Sequence, residues 1–126
     1  PEGAAKRLWP GLAALPENRL DPETIDFATL KARLLVVQAL EAARTVEEGV
    51  ITDPREADVG SILGFGFAPF TGGALSYIDG MGAEAFVAKA RSLAAEHGAR
   101  FEPPRILVEM AQTGGRFHAG RRERAA

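Results

Sequence analysis

Residues 57–79 read ADVGSILGFGFAPFTGGALSYID, and the fold turns on how this stretch is parsed. Val59, Ile62 and Leu63 have the i, i+3, i+4 spacing of an inward helical face. Gly64 and Gly66 end that run. Leu75 and Ile78 begin another, placed inward on a short helix from Gly73 to Met81, with Gly80 and Gly82 at its exit. Between the two runs lies a loop rich in aromatics, from Phe65 to Thr71. Phe65, Phe67 and Phe70, set beside Pro69, would expose much apolar area in water, which predicts that they plug the core or a partner surface. The stretch reads as helix, tight loop, helix: a packed corner of a small helical domain.

The flanks agree. Asp21-Pro22-Glu23-Thr24 is a helix-start signal, with an N-cap acid, a proline at the first position and acidic charge at the positive end of the dipole. The helix it predicts runs to about Glu48, with Gly49 as its stop. Its middle, Leu34 to Leu40, is apolar almost all round, which predicts a central helix covered on several sides. Asp53-Pro54-Arg55-Glu56 repeats the start signal ahead of the quoted stretch. Downstream, Phe86, Val87, Ala90, Leu93 and Ala94 mark an amphipathic helix from Ala83 to His97, stopped by Gly98. Pro103-Pro104 opens a last helix with Ile106, Leu107, Met110 and Ala111 on one face and Gly114-Gly115 after it. No β-alternation competes, so the expected fold class is all-α: a compact bundle of about five helices around a long central one.

Residues 1–20 are broken by Pro10, Gly11 and Pro16 and predict an irregular arm that lays Trp9 and its leucines on the body. Residues 118–126 predict a polar, frayed tail. The helical domain is therefore bounded at 21–117. A chain of 126 residues supports one domain with one modest core.

Composition excludes several functions. The net charge of −2 gives no electrostatic reason to expect nucleic acid. The absence of cysteine removes disulfides, thiolate metal sites and cysteine nucleophiles. No apolar run approaches the roughly 18 residues of a membrane span, and a cytoplasmic address is expected.

Catalytic groupings are equally sparse. Gly64-Phe65-Gly66 invites a dinucleotide-loop reading, but such a loop needs a third glycine, where Pro69 stands, and a preceding strand, where a helix is expected. His97 and His118 have no metal-ligand spacing; His97 suits a helix C-terminus. Ser61 and Ser76 lack a nucleophile-elbow context. Asp53, Glu56 and Asp58 are accounted for by capping and surface exposure. The expectation is no catalytic, cofactor-binding or metal-binding residue in this chain.

Two passages together, ARLLVVQALEAARTVEEGVI from Ala32 and ADVGSILGFGFAPFTGGALSYIDGMG from Ala57, resemble the C-terminal helical domain of the 3-hydroxyacyl-CoA dehydrogenase family. The likeness is strongest to the second copy found in multifunctional fatty-acid β-oxidation enzymes, and LWPGLAAL and GARFEPPRILVEMA extend it over about residues 8–117. The resemblance implies a 6-phosphogluconate dehydrogenase C-terminal-like helical fold. It further implies a parent enzyme that oxidises 3-hydroxyacyl-CoA with NAD bound to an upstream Rossmann domain, with enoyl-CoA hydratase activity further upstream. A first helical copy in the same chain and possible self-association or a thiolase subunit are the implied partners. On that basis Pro1 is expected to begin an excised piece.

In this family the supporting copy carries asparagine just before the Arg-Leu-Leu run. Here that position, just ahead of Arg33, is Ala32, and an alanine side chain cannot hydrogen-bond a substrate carbonyl. The resemblance thus implies a substrate-incompetent packing copy. Its expected packing or interface residues are Arg33, Glu41, Phe65, Phe67, Pro69, Phe70, Gly72, Gly73 and Asp79, with Glu41 structural and an Arg33–Asp79 tie between the central helix and the corner. Two alternatives are a self-contained acyl-CoA-binding bundle, with Phe65 to Phe70 lining its groove, and an oligomerisation scaffold.

Overall fold

The computed structural model describes residues 7–15 and 21–118; the rest of the arm and the tail beyond His118 lie outside the described residues. The architecture is all-α. The described residues form five helices, α1 (Phe27–Glu47), α2 (Pro54–Phe65), α3 (Ala74–Met81), α4 (Ala83–His97) and α5 (Arg105–Thr113), with short 3₁₀ turns between α2 and α3 and between α4 and α5.

Local signals set most boundaries. Asp53 caps α2 by accepting from the Arg55 amide at 2.9 Å, and Pro54 opens the helix. Gly66, in the left-handed region at φ +75°, closes it; Gly64 lies within its last turn. The first start signal behaves differently. Asp21 caps only a 3₁₀ turn, Pro22–Thr24, and α1 begins at Phe27, where Asp26 accepts from the Ala28 amide at 2.9 Å and the Thr29 hydroxyl at 2.6 Å. Two acids compete for one helix start, and the one offering two capping bonds next to the apolar run takes it.

The core forms where α1, α3, α4 and α5 meet. Val36, Ala39, Leu40 and Ala43 of α1 present one face to Leu75 and Ile78 of α3, Phe86, Ala90 and Leu93 of α4, and Leu107 of α5. The other side of α1 departs from the expectation of a helix covered on several sides: Phe27 is 72% and Leu34 56% exposed. α1 touches α2 only lightly, and among the described residues no helix covers the apolar residues on that side. In the arm, Pro10–Ala14 forms a 3₁₀ turn, and Leu8 and Trp9 are exposed. The indole lies over Gly11, where an added Cβ would come within 2.3 Å of the ring.

Candidate functional site

The corner of the quoted stretch is built on a polar centre. In α2 the buried residues are Ala57, Asp58 and Ser61, while Val59 and Leu63 are exposed. Of the inward apolar face expected for this helix, only Ile62 is half-buried, and Val59 and Leu63 face out. The reason lies across the corner, where α3 begins with backbone amides that need acceptors and has no cap of its own, since Gly73 carries no side chain.

Asp58 supplies the cap from a different helix. Its Oδ1 accepts from the Leu75 amide at 2.7 Å and the Ser76 amide at 3.1 Å, and its Oδ2 accepts from the Ser76 hydroxyl at 2.6 Å. His118 Nε2 lies 2.8 Å from the same Oδ2. Ser61 completes the arrangement, its hydroxyl accepting from the Ala74 amide at 3.1 Å and donating to the Asp58 carbonyl at 2.8 Å. Gly73 is required twice over: its φ is +120°, and an added Cβ would fall 2.4 Å from Asp58 Cβ.

A second carboxylate, Asp79, binds the C-terminal segment. Its Oδ1 accepts from the Phe117 amide at 3.0 Å and its Oδ2 from the His118 amide at 2.9 Å. Together the two acids clasp residues 117–118 onto α2 and α3. The expected Arg33–Asp79 tie is not made, because both oxygens of Asp79 serve those amides and Arg33 lies half-buried on α1. His118, assigned to a frayed tail on sequence, is instead a docked residue.

The remaining expected residues fall into three groups. Phe67 is buried and contacts Tyr77 edge-to-face at 6.0 Å, and Tyr77 meets Phe86 in the same way at 6.2 Å, so a file of rings runs from the corner into the core. Phe65 packs edge-on against Phe67 but is 57% exposed, and Phe70 is 80% exposed with the Lys31 ammonium 5.7 Å from its ring centroid. Pro69 opens a 3₁₀ turn ended by Gly72 at φ +86°. Glu41 pairs with Arg44, whose guanidinium donates to the Glu102 carbonyl at 2.7 Å and so ties α1 to the approach to α5.

Two apolar depressions flank α1. One, about 360 Å³, lies between α1 and α2, with a floor of Ala42, Ala57 and Gly60 and Phe65 as a wall. The other, about 470 Å³, is bounded by Phe27, Leu30 and Leu34 on α1 and by Phe70 opposite. Among the described residues no three His, Asp or Glu side chains come together as a metal site, and no helix is long and apolar enough to cross a membrane. The capping acid Asp53 is held down at a pKa of about 2, first by the hydrogen bond from the Arg55 side chain and then by the Arg55 amide. The polar groups of the corner are occupied with one another, so the arrangement fixes geometry; its unused capacity is apolar surface.

Sequence comparison gives this surface a context. The chain is similar to part of the fatty acid oxidation complex subunit alpha of several Shewanella species. It is 46% identical to that of Shewanella loihica over 88 residues, covering 69% of this chain and 12% of the relative. With the Shewanella halifaxensis and Shewanella baltica proteins it is 44% and 43% identical, in each case over 99 residues, 78% of this chain and 14% of the relative. The chain therefore spans only about an eighth of the length of the curated relatives it matches. No family model matches it.

Proposed function

We propose that the chain is a non-catalytic packing module of a fatty-acid β-oxidation enzyme, one that oxidises 3-hydroxyacyl-CoA with NAD in the cytoplasm. The observation that carries this reading is the 43–46% identity to fatty acid oxidation complex alpha subunits, joined to a corner whose polar groups are spent on holding helices together. In this reading the NAD-binding Rossmann domain, a first helical copy and any hydratase activity belong to the longer parent, with a thiolase subunit as a possible further partner of that parent. The module's contribution is a surface.

The trough between α1 and α2 is the part suited to receive a partner helix. Its floor is made of small residues, and a Cβ added at Gly60 would meet none of the described residues within 4 Å. Internal packing does not demand that glycine, whereas close approach of another backbone does. Phe65 walls the trough, while Phe67, Gly73 and Asp79 hold the corner from within.

The test is complementation. The 126-residue chain alone, given a 3-hydroxyacyl-CoA and NAD, forms no NADH; the parent lacking this segment has reduced dehydrogenase activity, and adding the chain restores it. NADH formation by the chain alone, or undiminished turnover without it, would refute the proposal. One-to-one calorimetric binding of a long-chain acyl-CoA by the isolated chain would favour a self-contained acyl-CoA-binding bundle instead.

A further inference from the structure

The depression bounded by Phe27, Leu30, Leu34 and Phe70 is separate from the α1–α2 trough assigned above to a partner, and nothing in the described residues fills it. Large apolar side chains stand open on both of its walls, at 72% exposure for Phe27 and 80% for Phe70. Another apolar surface of this chain is equally uncovered, and it lies just N-terminal to the same helix. In the arm, Leu8 is 82% and Trp9 67% exposed. The 3₁₀ turn Pro10–Ala14 is closed by bonds from the Leu12 amide to the Trp9 carbonyl and from the Leu15 amide to the Leu12 carbonyl. Leu12 lies within that turn, and Trp9 and Leu15 stand at its two ends.

We propose that the arm, residues 8–15, is a strap that closes over this groove, seating Trp9 and its leucines between α1 and Phe70. Three physical arguments select this occupant. The first is reach. Residues 16–20 can span up to roughly 17 Å when extended, and α1 climbs only about 10 Å from Phe27 to Leu34, so the turn can fold back along the helix it leads into. The second is tethering: a short covalent link holds the arm at an effective concentration on the order of millimolar with respect to its own groove, ahead of any free partner. The third is chemistry, since a turn built from Trp, Leu, Pro and Ala presents little but apolar surface to an apolar cleft, and both gain by leaving water. The Lys31 ammonium beside Phe70 is also placed at the rim, where an aromatic ring can cover it.

Trp9 is the one tryptophan of the sequence, so its fluorescence reports the strap directly. With the 126-residue chain, closure predicts blue-shifted emission and acrylamide quenching several-fold weaker than in the urea-unfolded chain. It also predicts that Leu34→Glu and Phe70→Asp, on opposite walls, each return the emission and quenching toward the unfolded values while far-UV circular dichroism stays helical. Both side chains are mainly exposed, so neither change empties the core. Water-like emission in the unmodified chain would overturn the proposal, as would protection unchanged in both variants. Protection that grows with protein concentration would equally overturn it, by placing Trp9 on a second copy.

Discussion

Replacing Asp58 with alanine should be among the most damaging single changes this chain can suffer, although it removes only one small side chain. The carboxylate is 5% exposed and accepts from the amides of Leu75 and Ser76 and from the hydroxyl of Ser76, with His118 Nε2 beside it. Alanine leaves those groups facing a space the size of a carboxylate. Loss of a helix cap alone costs about 0.5–2 kcal/mol, and each buried donor left without a partner costs about 1–3 kcal/mol. Ser76 and His118 can turn toward water, so only the two amides at the start of α3 bear the full penalty. The cap and the two amides are the same bonds, so the cost is roughly 2–6 kcal/mol, a large part of the total stability of a domain this size, and at about 4 °C per kcal/mol it corresponds to a fall in Tm of roughly 8–24 °C. Thermal denaturation followed by circular dichroism measures it. Asp58→Asn keeps an acceptor oxygen for the two amides and should lose less than half as much. A Tm for Asp58→Ala within 3 °C of the unmodified chain, or an asparagine variant as damaged as the alanine one, would show that Asp58 does not cap α3.

Three further outcomes follow from neighbouring features. Phe67→Ala should cost about 3–5 kcal/mol by opening a cavity beside Tyr77, whereas Leu63→Ala, at a side chain 81% exposed, should stay within about 0.5 kcal/mol; urea titration separates the two. Gly73→Ala should destabilise more than Gly66→Ala, because both have positive φ but only Gly73 also faces a side chain at 2.4 Å, and paired thermal melts would rank them. Asp53, held near a pKa of about 2 by Arg55, is lowered relative to the unfolded chain. Its stabilising contribution is therefore complete above the unfolded value of about 3.9 and is lost as pH falls through about 2. An NMR titration of its carboxyl carbon should give a midpoint near 2, and a higher one in Arg55→Ala, which removes the side-chain hydrogen bond but keeps the amide.

The helices were legible because their ends are written locally. Asp53-Pro54 and Pro103-Pro104 place helix starts, Gly66, Gly98 and Gly114 mark ends, and α4 spans Ala83–His97 as its spacing predicts. What escaped the sequence is what depends on partners far along the chain. Asp58 was assigned to ordinary surface exposure since nothing nearby needs it; its partners are 17, 18 and 60 residues away. The same separation hid His118 and redirected Asp79 from Arg33 to the amides of residues 117 and 118. Periodicity misjudged α2 for a related reason: spacing locates an apolar stripe but not what lies opposite it, and here the stripe with Val59 and Leu63 faces out while Asp58 and Ser61 face in. The start of α1 turned on a choice between two acids five residues apart, which propensity alone does not rank.

The capping of α3 by α2 also bears on how this corner comes and goes. An eight-residue helix is too short to persist in water by itself, and its first amides find acceptors only when α2 is already wound and seated. Neither helix can therefore fray independently at the junction. Amide hydrogens of Leu75 and Ser76 should exchange in step with those of α2 as one opening unit, and the strand of chain clasped by Asp79 should join the same event. The glycine-rich corner is thus one of the molecule's cooperative joints.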